Sequence, residues 1–238
     1  MNRTVESAVI RRAAERGHAD HGWLETWHTF SFADYFDPAH VGFRSLRVIN
    51  EDVIAPGQGF PLHPHRDMEI FTYVLEGALA HEDSLGHAGT IRPGVIQVMS
   101  AGRGIRHSER NPSKTDRTHL LQVWIEPRER GLTPRYTDWQ TTSAADHEAK
   151  TLLISGDGRD GSASIAQDAD VFRVRLQAGS GTTHQLRDGR GAWLQVVRGA
   201  LRLNGTPLTA GDGASTEDPG PLTLEATRDA EALLFDLA

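Results

Sequence analysis

Val74-Leu75-Glu76-Gly77-Ala78-Leu79 returns later in the chain as Val196-Val197-Arg198-Gly199-Ala200-Leu201, 122 positions on. At the same offset Ala55-Pro56-Gly57 falls on Gln177-Ala178-Gly179, and Arg92-Pro93-Gly94 has a counterpart, after a shorter hairpin, in Thr209-Ala210-Gly211. One short match would be chance; three in order imply two copies of one structural unit. Outside these blocks apolar and polar residues alternate. Phe172, Val174 and Leu176 are spaced by Arg173 and Arg175, while Leu121, Val123 and Ile125 are spaced by Gln122, Trp124 and Glu126. Leu233, Phe235 and Leu237 share one face near the end of the chain. Period-2 runs punctuated by 24 Gly and 11 Pro are the pattern of antiparallel strands in a sandwich or barrel. Helical periods are scarce, so the expected fold class is all-β. The polar stretch from Thr141 to Glu148 is the expected linker, which divides the chain into a first domain at 1–140 and a second at 151–238.

Composition narrows the function classes. With 238 residues, 38% of them hydrophobic and 24% charged, the chain can bury a core and is too apolar for wholesale disorder. A net charge of -7 and a pI near 5.9, with no Lys/Arg cluster, argue against nucleic acid as a partner. Lys114 and Lys150 are the sole lysines among 25 basic residues. The chain has no Cys, which removes disulfides, thiolate metal sites and cysteine nucleophiles together. Residues 1–20 carry several charges and no apolar core of a signal peptide, and no apolar run approaches the ~18–20 residues that span a bilayer. A soluble, cytoplasmic, monomeric protein without a membrane partner is the expectation. Twelve His are the first hint of chemistry.

Three of them stand at metal-ligand spacing. In His63-Pro64-His65 both imidazoles share one face of a strand, because side chains alternate. Glu69 keeps that parity if the strand runs on regularly. His107, in Gly104-Ile105-Arg106-His107-Ser108-Glu109, supplies a third imidazole, and Glu109 two residues later shares its face. Three imidazoles and one carboxylate suit a first-row divalent ion, whereas magnesium and calcium prefer more oxygen ligands. Spacing alone leaves the choice between Glu69 and Glu109 open. The second copy offers only His184 at the corresponding place, with no second His at i+2, so the second domain is expected to hold no metal.

The string Gly57-(x5)-His63-x-His65-(x3)-Glu69-(x7)-Gly77 resembles the first cupin motif, with one extra residue before the final Gly. Gly104-(x2)-His107-(x3)-Asn111 resembles the second, with Gly102 where cupins usually place Pro. Further stretches are similar to the pirin signature: Arg16 to Trp23, Trp27 to Phe32, Gly42 to Asn50, Phe60 to Glu69, and Met99 to Glu109. The chain thus resembles the pirin family of bicupins, densely over about residues 15–140 and loosely beyond, and within it the bacterial pirin-like quercetin 2,3-dioxygenases.

That resemblance implies two cupin barrels packed face to face, with His63, His65, His107 and Glu109 as ligands of one divalent transition metal ion in the first. Fe(II) is the first expectation, with Mn, Ni, Cu, Zn or Co as alternatives. Glu69 is then an outer carboxylate. The implied activity is O2-dependent cleavage of the heterocycle of a planar flavonol such as quercetin with release of CO, with Glu109 as the first candidate to accept the substrate's hydroxyl proton and Glu69 as the second. The alternative it implies is a non-enzymatic, iron-binding redox sensor that docks on a regulatory protein partner. His18, His21, His28 and His40 lie outside both ligand motifs and are expected to serve hydrogen-bonded structural roles. The aromatics of the first quarter are expected in the core, with Phe43 and Phe60 the first candidates to line a pocket.

Overall fold

A computed structural model describes residues 8–140 and 148–238; most of the expected linker lies outside the described residues. Within them the chain is almost wholly β, with only single 3-10 turns at Ala13–Glu15 and Arg159–Gly161. It divides into two compact units: one formed by Gly17–Thr141 with Ala163–Gln167, the other by Met1–Arg16, Thr142–Ser162 and Asp168–Ala238. The edges of these units depart from a cut at 140/151 for hydrogen-bonding reasons. Val9–Arg11 pairs with Gly213–Thr216 of the second unit. The Gln167 amide donates to the Glu126 carbonyl at 2.7 Å, and the Arg128 amide donates to that of Ala166 at 2.8 Å, which ties the short return segment to the first.

The first unit is two antiparallel sheets. Four strands lie in the order Gly59–His65, Ile105–Arg110, Leu79–Asp83, Ala88–Ile91. Seven lie in the order Arg135–Gln140, Val95–Ser100, Glu69–Glu76, Thr118–Ile125, Leu46–Ile54, Leu24–His28, Gly17–Asp20. Leu79 and Ile91 of the smaller sheet meet Leu24, Ile54, Val74 and Leu120 of the larger in one buried cluster. Each such side chain contributes roughly 1.5–3 kcal/mol on burial. Leu24 of this cluster, and Phe60 packed against it, also line the cavity described below.

In the second unit Gly191–Leu203 and Gly220–Leu237 pair along most of their lengths, with register shifts between Val196 and Arg198 and on to Leu201. Such bulges bend a strand and raise its twist, which lets so long a pair wrap a core. Lys150–Ser155, Ala169–Leu176, Gly181–Leu186, Thr206–Thr209 and Gly213–Thr216 extend the frame. The glycines of the internal repeat adopt matching left-handed backbones: Gly57 and Gly179 at φ 69° and 80°, Gly77 and Gly199 at 78° and 73°, Gly94 and Gly211 at 86° and 85°. At Gly77 and Gly199 a Cβ would also lie 2.8 Å and 1.8 Å from the carbonyl oxygens of Arg117 and Asp229. Only glycine serves both turns.

The alternation is present, but its polar face does not point to water throughout. Gln122 and Trp124 point into the first barrel beside Leu120, while Leu121, Val123 and Ile125 are buried on the other face. In the second unit the core takes Ala232 and Leu234, while Leu233, Phe235 and Leu237 are buried on the opposite face. Arg173, one of the polar residues of the alternation, is 1% exposed. A strand buried on both faces gives the pattern no solvent side to report.

Candidate metal centre

His63 and His65 sit on Gly59–His65, which pairs antiparallel with Ile105–Arg110 so that His107 lies directly opposite His63. The three imidazole ring centres are 4.4–4.8 Å apart, and one nitrogen from each falls within a single 4.8 Å group. Two of the rings have partners that orient them. His63 Nδ1–H donates to the Pro61 carbonyl at 2.7 Å, so its Nε2 carries the lone pair. His107 Nδ1 is 3.0 Å from His81 Nε2, and His107 Nε2 is buried with no hydrogen-bond partner. A buried polar atom left open at the meeting point of three imidazoles is what an absent ion would satisfy. Burial, reinforced by neighbouring imidazoles, pushes His65 down to about 4 and His107 further still; burial also lowers His81. Neutral rings are the ligand form.

Glu109 is separated from His107 by a register shift: His107 faces His63, but Glu109 faces Phe60. Its carboxylate therefore does not join the three-imidazole group, although it lines the same cavity. Both of its oxygens accept from the Gln122 Nε2 amide at 2.7 Å, and Thr72 Oγ1 donates to one at 3.4 Å. Burial pushes its carboxyl up to about 7, partly offset by the Gln122 and Thr72 hydrogen bonds and reinforced by the charge of Asp52. Glu69 goes elsewhere. Asp67, at φ 50°, turns the chain after His65, and Glu69 opens a strand of the other sheet. It accepts from Ser100 Oγ at 2.5 Å and is absent from the cavity wall.

The cavity holds about 360 Å³. Leu24, Phe32, Phe60, Ile70 and Trp124 give it apolar walls, and His21, His28, Asn50 and Asp52 join the metal-site residues among its polar ones. Phe60 thus lines the pocket as expected; Phe43 does not, and Phe32 and Trp124 take that part. His28 bonds Asn50 at 2.8 Å, His40 bonds Asp37 at 2.8 Å, and His18 bonds Glu25 at 3.3 Å. Sequence reasoning missed Asp52 and His81. Asp52 is 3% exposed, and burial pushes its carboxyl up to about 6, with the Thr26 hydroxyl pulling the other way. No motif marks either: Asp52 shares a strand face with Asn50 and His81 shares one with Leu79, but which face turns inward depends on strand pairing. No Lys or Arg lines the cavity among the described residues. Two carboxylates and three neutral imidazoles without a protein cation fit a divalent transition metal ion.

In the second unit His184, the imidazole at the repeat position, donates from Nε2 to Asp236 at 2.7 Å, and Arg190 donates to the other Asp236 oxygen and, at 2.9 Å, to Asp168.

The chain matches the Pirin family over residues 9–125 and the Quercetinase C-terminal cupin domain over 152–237. It is 50% identical over 228 residues to quercetin 2,3-dioxygenase of Escherichia coli strain K12, covering 96% of this chain and 97% of that one. A putative quercetin 2,3-dioxygenase of Pseudomonas aeruginosa is 46% identical, over 97% of this chain and all of the relative. Among solved structures, bacterial pirin YhhW from Escherichia coli in complex with nickel(II) superimposes with a TM-score of 0.92 at 49% identity, over 97% of this chain and 99% of the other. With such identity across both cupin units, the chain belongs to the pirin family of bicupins.

Proposed function

We propose that this protein is a metal-dependent dioxygenase that opens the heterocycle of a flavonol such as quercetin with O2 and releases CO. The observation that carries this reading is the unpartnered His107 Nε2, facing two further imidazoles under an apolar slot. Support comes from the relatives named for that activity. His63, His65 and His107 would hold the ion, with Glu109 completing the set once its side chain turns from Gln122. The ion, Fe(II) as first expectation, supplies Lewis acidity toward the deprotonated flavonol and a route for electrons to O2.

The chain's own residues do the rest. Phe32, Phe60 and Trp124 form the walls against which a flat aromatic ligand lies, and they limit water. Glu109 takes the proton of the substrate's hydroxyl: the O–H bond breaks, a carboxyl O–H forms, and the anion stays in the cavity. Gln122 and Thr72 hold this carboxylate at the cavity wall in the metal-free site, from which it turns to reach the ion and the substrate's hydroxyl. The test is aerobic turnover of quercetin by protein purified without a nickel column and loaded with one metal at a time. Loss of the flavonol absorbance band with one CO released per flavonol supports the reading. Capture of a regulatory protein without turnover under any metal would replace it with the binding-protein alternative.

A further inference from the structure

His81 belongs to neither cupin motif, yet it is 5% exposed and its Nε2 lies 3.0 Å from His107 Nδ1. The strand Leu79–Asp83 runs beside Ile105–Arg110, which brings the two rings to 5.1 Å. The polarity of their bond follows from the rest of the site. If His107 ligates through its open Nε2, its one remaining proton sits on Nδ1. His107 then donates and His81 Nε2 accepts, so the His81 proton is on Nδ1, which faces the Tyr136 hydroxyl at 3.5 Å. Tyr136 is itself flanked. His81 lies against its ring at 5.3 Å, and His87 stacks on it at 5.2 Å with only 13° between planes. Asp83 fixes His87, accepting from its Nδ1 at 2.9 Å and from its backbone N–H at 3.0 Å.

We infer that His81 is the positioning residue of the metal centre: it accepts the Nδ1–H of His107 and so fixes the tautomer and ring angle that aim His107 Nε2 at the ion, with Tyr136 and the Asp83–His87 pair bracing it from behind. Metal-bound imidazoles commonly spend their second nitrogen on a carboxylate or carbonyl. Here a neutral imidazole fills that place, and the carboxylate behind it, Asp83, is spent on His87.

The inference rests on His107 being a ligand, and its test needs no turnover. Zn(II) affinity of the parent, His81→Gln and His81→Leu is measured by competition with a chelator, together with the NMR signal of the exchange-protected imidazole N–H of His107 in the Zn(II)-loaded protein. Gln offers an acceptor oxygen where His81 Nε2 stood; Leu offers none. Expected are parent-like affinity and a retained N–H signal in His81→Gln, and in His81→Leu a loss of about 10–100-fold in affinity with loss of the signal. Undiminished affinity in His81→Leu overturns the inference. Equal weakening and signal loss in both variants also overturns it, since that is what a packing role predicts. If His81→Leu does not fold, His81→Gln decides alone: retention of affinity and signal supports the assignment, and loss of either refutes it. A parent protein that binds no Zn(II), or that binds it unchanged after His107→Ala, overturns the metal site and this inference with it.

Discussion

Asp52 in the first barrel and Asp236 in the second are equally buried, at 3% exposure each, yet their carboxyls are pushed in opposite directions. Around Asp52 burial dominates, the charge of Glu51 adds to it, and the Thr26 hydroxyl and His119 only partly offset it, so the group rises to about 6. Around Asp236 burial is outweighed by hydrogen bonds from His184 and Arg190 and by their charge, so the group falls below the usual carboxylate range. One copy of the repeat brings its own cation to the buried acid. The other leaves its acids and imidazoles uncompensated and so calls for a cation from outside. The two copies share a frame; what differs is where the positive charge comes from.

The largest effect that would test this contrast is removal of a ligand. His107→Ala should abolish metal retention and flavonol turnover together, as read by elemental analysis and by the flavonol band, whereas His184→Ala should leave metal content untouched. A variant lacking His107 that still carries a full metal complement breaks the comparison at its root.

Asp236→Ala should be next. It removes the buried carboxylate shared by Arg190 and His184 and leaves Arg190 only the exposed Asp168 side chain and backbone carbonyls, which should cost up to about 3–5 kcal/mol. Chemical denaturation should show that loss while the metal content of the folded fraction stays at the parent level. A neutral result would mean that the His184–Asp236–Arg190 cluster does not hold the second barrel.

Asp52→Asn should work the other way. In metal-free protein burial raises the folded-state carboxyl to about 6 from its ordinary 3.8. Between those values the folded state holds a proton that the unfolded state has lost, so stability falls as pH rises and the full penalty is present above about pH 6. A shift of that size is worth about 3 kcal/mol. Asp52→Asn should therefore stabilise the metal-free protein by about that amount at pH 8 and by almost nothing at pH 3.5. A gain independent of pH would assign the effect to packing instead.

The smallest effect separates the two carboxylates of the first motif pair. Glu69→Gln should retain metal and lose at most about 10–100-fold in affinity, because Glu69 faces Ser100 and not the cavity. Glu109→Gln should lose more, in metal affinity and rate alike. The reverse order of metal contents would exchange their roles.

Much of this was written in the chain. The repeat, the turn glycines and period 2 determine two β units, because a backbone that needs positive φ at Gly77 and Gly199 accepts little else. The His-x-His spacing likewise determines that His63 and His65 share a face. Other matters were settled only when strands from distant parts of the sequence met. Alternation tells which residues are on one side of a strand, not which side is inside, and it gave no sign that Gln122 and Trp124 line the cavity. Glu69 has the parity of a ligand, but a turn at Asp67 carries it into the other sheet. His81 and Asp52 have no motif at all. They matter through register, the first opposite Glu109 with its ring against that of His107, the second opposite Thr26 with its charge felt by Glu109. Register between strands is a property of the assembled sheet, fixed by which faces are buried together, and no local pattern encodes it in full.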